Sequence, residues 1–359
     1  MKKARALRKG DKVAIVSLSR GVLGEDFARH QLALGQERLR AMGLEPVVMP
    51  NALKGIDFLN KYPQKRAEDL KQAFLDDAIK GIICSIGGDD TFRLAPYLLD
   101  DAEFVEAVAR QPKLFTGYSD TTVNHMMFYQ LGMVSFYGLN FMNDLAELGP
   151  EMLPYTREAF ERYFGGDAPY VIESSPVWYE ERRDFSEAAL GTWRVAHEET
   201  HGYEVLRGSG RVQGALLGGC LESLYELLVG GRFEDQLEIS ECYGLFPGVD
   251  QWKDKLFFFE TSEEKPEPER FGMMLRKLKE VGVFEQVRGL IVGKPQDEAF
   301  YEAYKSVLLE VTADEDLPIL YNVNFGHAYP HAMLPYGVQA VMDLEEKRIE
   351  VVEGMFEER

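Results

Sequence analysis

The sequence predicts an α/β protein in which a parallel sheet, covered by helices on both faces, is followed by a second domain. Two observations carry that reading. Apolar runs of strand length alternate with amphipathic helical segments through the first half of the chain, and the composition changes at Gly165-Gly-Asp-Ala-Pro169. A length of 359 residues agrees with about two domains. The expected division is 1–168 for the first domain, 169–210 for a linker and long loop, and 211–359 for the second domain.

Each element follows from local pattern. Lys12-Val-Ala-Ile-Val-Ser17 reads as a buried strand, and a helix over Asp26 to Met42 stops at Gly43 before the strand Pro46-Val-Val-Met49. Ala67, Leu70, Ala73 and Phe74 recur at helical spacing ahead of the strand Gly81-Ile-Ile-Cys-Ser85. A helix over Asp101 to Arg110, a strand–turn–helix unit around Ser119, the strand Val134-Ser-Phe-Tyr-Gly138 and a helix over Glu151 to Phe164 complete this half. Val171 to Gly210 has no sustained period and reads as a long loop, a length often functional. Beyond it come the strand opening at Val212, the strand Lys255-Leu-Phe-Phe-Phe-Glu260, a helix with Met273, Met274, Leu278 and Val281, and the strand Gly289 to Gly293. A helix with Tyr301, Tyr304, Val307 and Leu308 precedes a closing hairpin, Val338 to Asp343 and Arg348 to Val352.

Composition excludes several partners. A net charge of -20 opposes binding to nucleic acid or anionic membrane, since both are polyanions, and leaves a small or neutral substrate. No apolar run approaches the roughly 18 residues of a membrane helix. The basic start leads into Gly10-Asp11-Lys12 rather than an apolar signal core, so the expected location is the cytoplasm. Cys84, Cys220 and Cys242 are few and widely spaced, which fits reduced thiols and gives no metal-ligand pairing.

Four polar groups stand where a sheet of this kind places chemistry. Ser119 lies at the turn between the run Leu114-Phe115 and the helix carrying Val123, Met126, Met127 and Leu131, where helix N–H groups face a bound anion. That turn suits a nucleophile; helix capping by Ser119 or Asp120 is the structural alternative. Thr121 stands where the second glycine of a nucleophile elbow would be. Gly87-Gly88 follows the preceding strand and can bring backbone N–H groups close to a developing charge, or can be a plain turn. Glu260 closes an apolar strand, and His327 lies just past the run Leu317 to Val323. A hydroxyl nucleophile needs a base, and the base needs an acid to fix its tautomer, so Ser119, His327 and Glu260 would fill the three roles. A competing motif is His197-Glu-Glu-Thr-His201, which matches a zinc-peptidase signature with Glu222 as a third ligand, provided that a continuous helix carries both histidines. A non-catalytic small-ligand binding protein using the same cleft is a further alternative.

Five ordered blocks carry a resemblance: Gly87-Gly88 with Arg93, Gly117-Tyr-Ser-Asp-Thr-Thr122, Gly214-Ala-Leu-Leu-Gly-Gly219, Leu256-Phe-Phe-Phe-Glu260, and Asn324-Phe-Gly-His327 with Leu334-Pro-Tyr-Gly337. Together they resemble the LD-carboxypeptidase family of serine peptidases, which includes muramoyltetrapeptide carboxypeptidases and microcin C immunity proteins, over nearly the whole chain. The resemblance implies a flavodoxin-like amino-terminal domain carrying Ser119, a smaller β-rich α+β carboxyl-terminal domain carrying Glu260 and His327, and a homodimer. It implies Ser119 as nucleophile, His327 as base and acid, Glu260 as its orienting partner, and the N–H groups of Gly88 and Asp120 as the oxyanion hole. Asp89, Arg93, Trp178 and Trp193 are the substrate contacts it suggests, with no metal and no cofactor. Asp89-Asp90 replaces a common Tyr-Gly and Cys220 a common Asn, whereas the loop with Trp178 and Trp193 looks like the microcin-immunity branch.

Overall fold

The computed structural model describes residues 1–166 and 168–357. Asp167, inside the expected boundary, and residues 358–359, at the end of the expected second domain, lie outside the described residues.

The amino-terminal half forms the expected parallel sheet. Strands β1 (Lys12–Val16), β2 (Glu45–Val48), β3 (Ile79–Cys84), β4 (Leu114–Gly117) and β5 (Phe136–Tyr137) stand in the order 2-1-3-4-5, all parallel. This is the flavodoxin-like order, which places ligands at the carboxyl ends of the strands. Helices cover both faces. Pro63 begins the helix Pro63–Leu75, where its missing N–H costs nothing, and Ala67, Leu70, Ala73 and Phe74 are its buried face. Asp101 caps the helix Ala102–Arg110 by accepting from the Phe104 N–H at 3.0 Å.

The remaining strands are β6 (Tyr170–Ile172), β7 (Val177–Tyr179), β8 (Ala196–Glu198), β9 (Glu204–Arg207), β10 (Arg211–Cys220), β11 (Lys255–Glu260), β12 (Gly289–Gly293), β13 (Ile319–Val323), β14 (Leu334–Pro335), β15 (Gln339–Asp343) and β16 (Arg348–Val351). Eight of them form a second sheet in the order β6-β16-β15-β10-β11-β12-β13-β9. Its centre, β10 to β13, is parallel, and the closing hairpin β15–β16 is antiparallel as expected. The second half is therefore β-rich but carries a parallel α/β core of its own, with helices Leu221–Val229, Pro268–Glu280 and Tyr301–Val311 as crossovers.

Two differences from the sequence reading matter. The stretch 170–207 is not one irregular loop: β6 and β9 close opposite edges of the second sheet, and β7 pairs with β8. Strands of three or four residues are too short for alternation to register in the sequence. Strand β14 also crosses back to pair with β5, so the carboxyl-terminal part completes the first sheet. No helix among the described residues is long and apolar enough to cross a membrane.

Candidate active site

The carboxyl ends of β3, β4 and β5 face those of β10 and β11 and the loop after β13, and the candidate residues meet there. Phe257, Phe258 and Phe259 are fully buried in β11, each contributing about 2–3 kcal/mol, and they fix the strand that aims Glu260. Cys220 ends β10 in register with Glu260, and its N–H donates to Thr122 Oγ1 at 2.9 Å, joining the second sheet to the helix Thr121–Gln130 behind Ser119.

Ser119 sits on a sharp turn with φ of 67°, unusual for a side-chain-bearing residue, so the elbow forms without the second glycine. The Gly87 backbone lies against it: a Cβ there would stand 2.7 Å from Ser119 Oγ. The Ser119 N–H donates to Tyr137 Oη at 3.2 Å, and Tyr137 Oη donates to Glu260 Oε1 at 2.5 Å. Burial and the charge of Glu260 raise the Tyr137 phenol well above its ordinary value, so it remains a donor. Glu260 is almost fully buried and accepts from the His327 N–H at 3.0 Å, and its Oε2 lies 2.8 Å from His327 Nδ1. Gly326, at φ of 81°, allows the chain to wrap this closely around the carboxylate.

The electrostatics follow from that packing. Burial alone would lower His327, but the charges and hydrogen bonds of Glu260 and Glu263 raise it well above the ordinary histidine value. Glu263 Oε2 lies 3.0 Å from His327 Nε2. Partial burial opposes its ionisation, yet the hydrogen bond and charge of His327 hold Glu263 at about 2. Burial, with Glu222 and Glu260 beside it, keeps the Cys220 thiol protonated. Nearby His125 is different: burial depresses it to about 3, and it donates from Nε2 to the Gly117 carbonyl while Nδ1 meets Ser135 Oγ at 2.8 Å, steadying the end of β4 as a neutral ring.

The glycine loop after β3 is held from beneath. Ser19 Oγ donates to Asp120 Oδ2 at 2.6 Å and accepts from the Asp89 N–H at 2.9 Å, while fully buried Arg66 grips Asp90 at 2.6 and 3.0 Å. Burial raises Asp120 to about 7 against its hydrogen bonds from Ser19 and Thr91. Among the described residues the N–H groups of Gly88 and Asp120 meet no acceptor, in contrast to those of Ser119 and Tyr118. Gly88, Asp89, Ser119, Cys220, Arg232 and Glu263 line one cleft, and Arg232 pairs with Asp89, Glu226 and Glu264.

The other expected contacts lie elsewhere. Arg93 is turned away from the cleft: it grips Asp235 through two hydrogen bonds of 2.8 Å and stacks over Phe233, tying the two halves together. Trp178 is buried against His197, with ring centroids 4.2 Å apart, and Lys294 lies over it. Trp193 is half exposed and packs on Gly149. Neither tryptophan lines the cleft of Ser119. The zinc motif also fails on geometry, because Ala196–Glu198 is a strand. His197 meets Glu180, His201 stacks on Tyr301, and Glu222 is turned to Ser262 at 2.7 Å. Tyr137, Glu263 and Arg232 were not singled out in the sequence; the rule that strand ends line the site could have found Tyr137, which ends β5 beside β4.

Comparison with known proteins identifies the family. Residues 13–138 match the profile of the LD-carboxypeptidase N-terminal domain, and residues 213–342 that of the LD-carboxypeptidase C-terminal domain. A Bacillus subtilis protein named "probable murein peptide carboxypeptidase" is 27% identical over 99% of this chain and 96% of its own. The Escherichia coli microcin C7 self-immunity protein MccF is 26% identical over 81% of this chain and 78% of its own. Among solved structures, an MccF-like protein from Streptococcus pneumoniae in complex with AMP is 47% identical, covers 95% of this chain and 98% of its own, and superposes with a TM-score of 0.91. With both domain profiles matched in order and a relative of that identity along its length, the chain is a hydrolase and belongs to the LD-carboxypeptidase family.

Proposed function

We propose that this protein is a metal-independent serine hydrolase that cleaves an amide bond through Ser119, His327 and Glu260. The observation that carries the reading is the junction at the strand ends. Ser119 stands on a φ-positive elbow, and a buried histidine in the facing loop has its Nδ1 fixed by a buried carboxylate. Ser119 Oγ attacks the carbonyl carbon as its proton passes to His327 Nε2, and the oxyanion is received by the N–H groups of Gly88 and Asp120. The C–N bond then breaks, His327 protonates the leaving amine, and water, deprotonated by His327, releases the acyl group from Ser119. We extend the proposal to the division of labour between units: 1–168 holds the nucleophile, 169–210 the outer wall, and 211–359 the base and its partner.

The relative that is 47% identical carries AMP, which favours an aminoacyl or peptidyl nucleotide conjugate as substrate. An L,D-linked murein peptide is the second reading, favoured by the name of the Bacillus subtilis relative. The test is amide cleavage of an aminoacyl sulfamoyl adenosine and D-alanine release from an L,D-linked tetrapeptide. Both are run with wild type and Ser119→Ala, each with and without a chelator. Cleavage that survives chelation and disappears in Ser119→Ala is the expected result, and the substrate cleaved assigns the branch. Loss on chelation refutes the serine mechanism. A Ser119 that takes up no fluorophosphonate would leave the cleft as a binding site only.

A further inference from the structure

We propose that Glu263 is a positioning residue of the hydrolase, a carboxylate that occupies His327 Nε2 in the free enzyme and gives way when an acyl substrate enters. The proposal rests on the triad reading above. Glu263 lies three residues past Glu260, on the loop leading to the helix Pro268–Glu280. With Glu260 at Nδ1 (2.8 Å) and Glu263 at Nε2 (3.0 Å), His327 has an acceptor on each nitrogen. A ring that donates from both nitrogens is an imidazolium and has no lone pair with which to take the Ser119 proton. Among the described residues His327 Nε2 meets Glu263 and makes no hydrogen bond with Ser119 Oγ.

The cleft agrees. Glu263 lines it together with Gly88, Ser119, Cys220 and Arg232, so an acyl group that reaches Ser119 meets this carboxylate. The walls differ in how firmly they are held. Ser262 is tied to Glu222 by hydrogen bonds of 2.9 and 2.7 Å, and Glu260 is buried, whereas the Glu263 side chain is 55% exposed and has His327 as its one ion-pair partner among the described residues. The charged and titratable groups around the pair include Glu260 from β11, Cys220 from the end of β10, Tyr118 after β4, Glu181 from the β7–β8 segment, and Arg232 from the loop after the helix Leu221–Val229. Of these, Arg232 is the cation toward which a displaced Glu263 can turn. The carboxylate also stands where a product carboxylate would accept from His327, so Glu263 acts as a built-in competitor for that position.

The test uses the full chain as wild type, Glu263→Gln, Glu263→Ala and Ser119→Ala. The second-order rate of labelling by a fluorophosphonate is measured at neutral pH, and nitrogen chemical shifts of His327 are assigned by their loss in His327→Asn. Removing one carboxylate from a ring whose pKa lies above the pH raises the free-base fraction about tenfold per unit of fall. The expected result is therefore labelling about tenfold faster in Glu263→Gln, faster labelling in Glu263→Ala, and a His327 Nε2 shift that moves from the imidazolium toward the neutral position. Labelling that is unchanged or slower in both variants, with His327 shifts as in wild type, overturns the proposal while leaving the triad intact, provided that Ser119→Ala takes up no probe. Labelling that persists in Ser119→Ala overturns both.

Discussion

Tyr137 accepts from the Ser119 N–H and donates to Glu260, so one phenol joins the elbow of the first sheet to the buried carboxylate of the second. Tyr137→Phe keeps the ring packing and removes both hydrogen bonds, one of them to a charged group. A loss of about 1.5–3 kcal/mol predicts a fall in kcat of about 10- to 100-fold with KM little changed, measured by steady-state kinetics at a temperature where circular dichroism shows the variant folded. A kcat within twofold of wild type would refute the role. In the proposed mechanism His327 sets the pH dependence. Its folded pKa is raised, so its ion pairs stabilise the fold below the ordinary histidine range, and that contribution disappears as pH rises through the raised value. Activity runs the other way, since the basic form appears only over that rise. The profile of kcat/KM, which reports the free enzyme, should therefore climb on the alkaline side of the ordinary histidine range, and in Glu263→Gln the climb should shift to lower pH. A profile already flat at pH 6 would contradict this.

At the scale of elements, the segment that carries β7 and β8 is held by a buried ionic knot as well as by sheet pairing. Glu147, which follows β5 of the first sheet, accepts from Arg182 at 2.6 Å and from Arg194 at 2.6 Å, and these arginines lie in the connection between β7 and β8. Arg194 also lies 3.7 Å from the centre of the Tyr329 ring, two residues past His327. Both guanidinium groups are almost buried, so Glu147→Gln leaves two charges with one neutral acceptor. The expected cost is about 3–5 kcal/mol, together with faster amide exchange over 177–198 than over β10 to β13. Uniform exchange across both regions would show that the knot does not anchor this segment. None of it was legible beforehand, because Glu147 is 35 and 47 positions from the two arginines, which lie in a stretch without period.

At the scale of the molecule, the two sheets share more than a cleft. Strand β14 pairs with β5, Tyr336 Oη donates to the Gly218 carbonyl at 2.8 Å, and Arg93 clamps Asp235. These contacts predict a single cooperative unfolding transition. Fluorescence of the tryptophans, Trp178, Trp193 and fully buried Trp252, all beyond the first domain, and far-ultraviolet circular dichroism should give coincident urea midpoints. Two separated midpoints would mean that the halves unfold independently.

The sequence by itself determined the elements whose pattern is local and long enough to register. These are the alternating strands and helices of the first half, the strand and turn before Ser119, the apolar run that ends in Glu260, the closing hairpin, and, through five ordered blocks, the family. Residues such as Phe257 to Phe259 announce a buried strand because burial is written in their own side chains. Only the tertiary structure decided which strand ends face one another, that Tyr137 lies between Ser119 and Glu260, that Glu263 takes the far nitrogen of His327, and that Arg93, Trp178 and Trp193 stand away from the cleft. Such outcomes depend on contacts between groups far apart in the chain. Arg93 chose Asp235 at a separation of 142 residues, and Tyr137 chose Glu260 at 123. A polar side chain carries no mark of its partner until the fold supplies one, whereas an apolar periodicity already contains the face that it will bury.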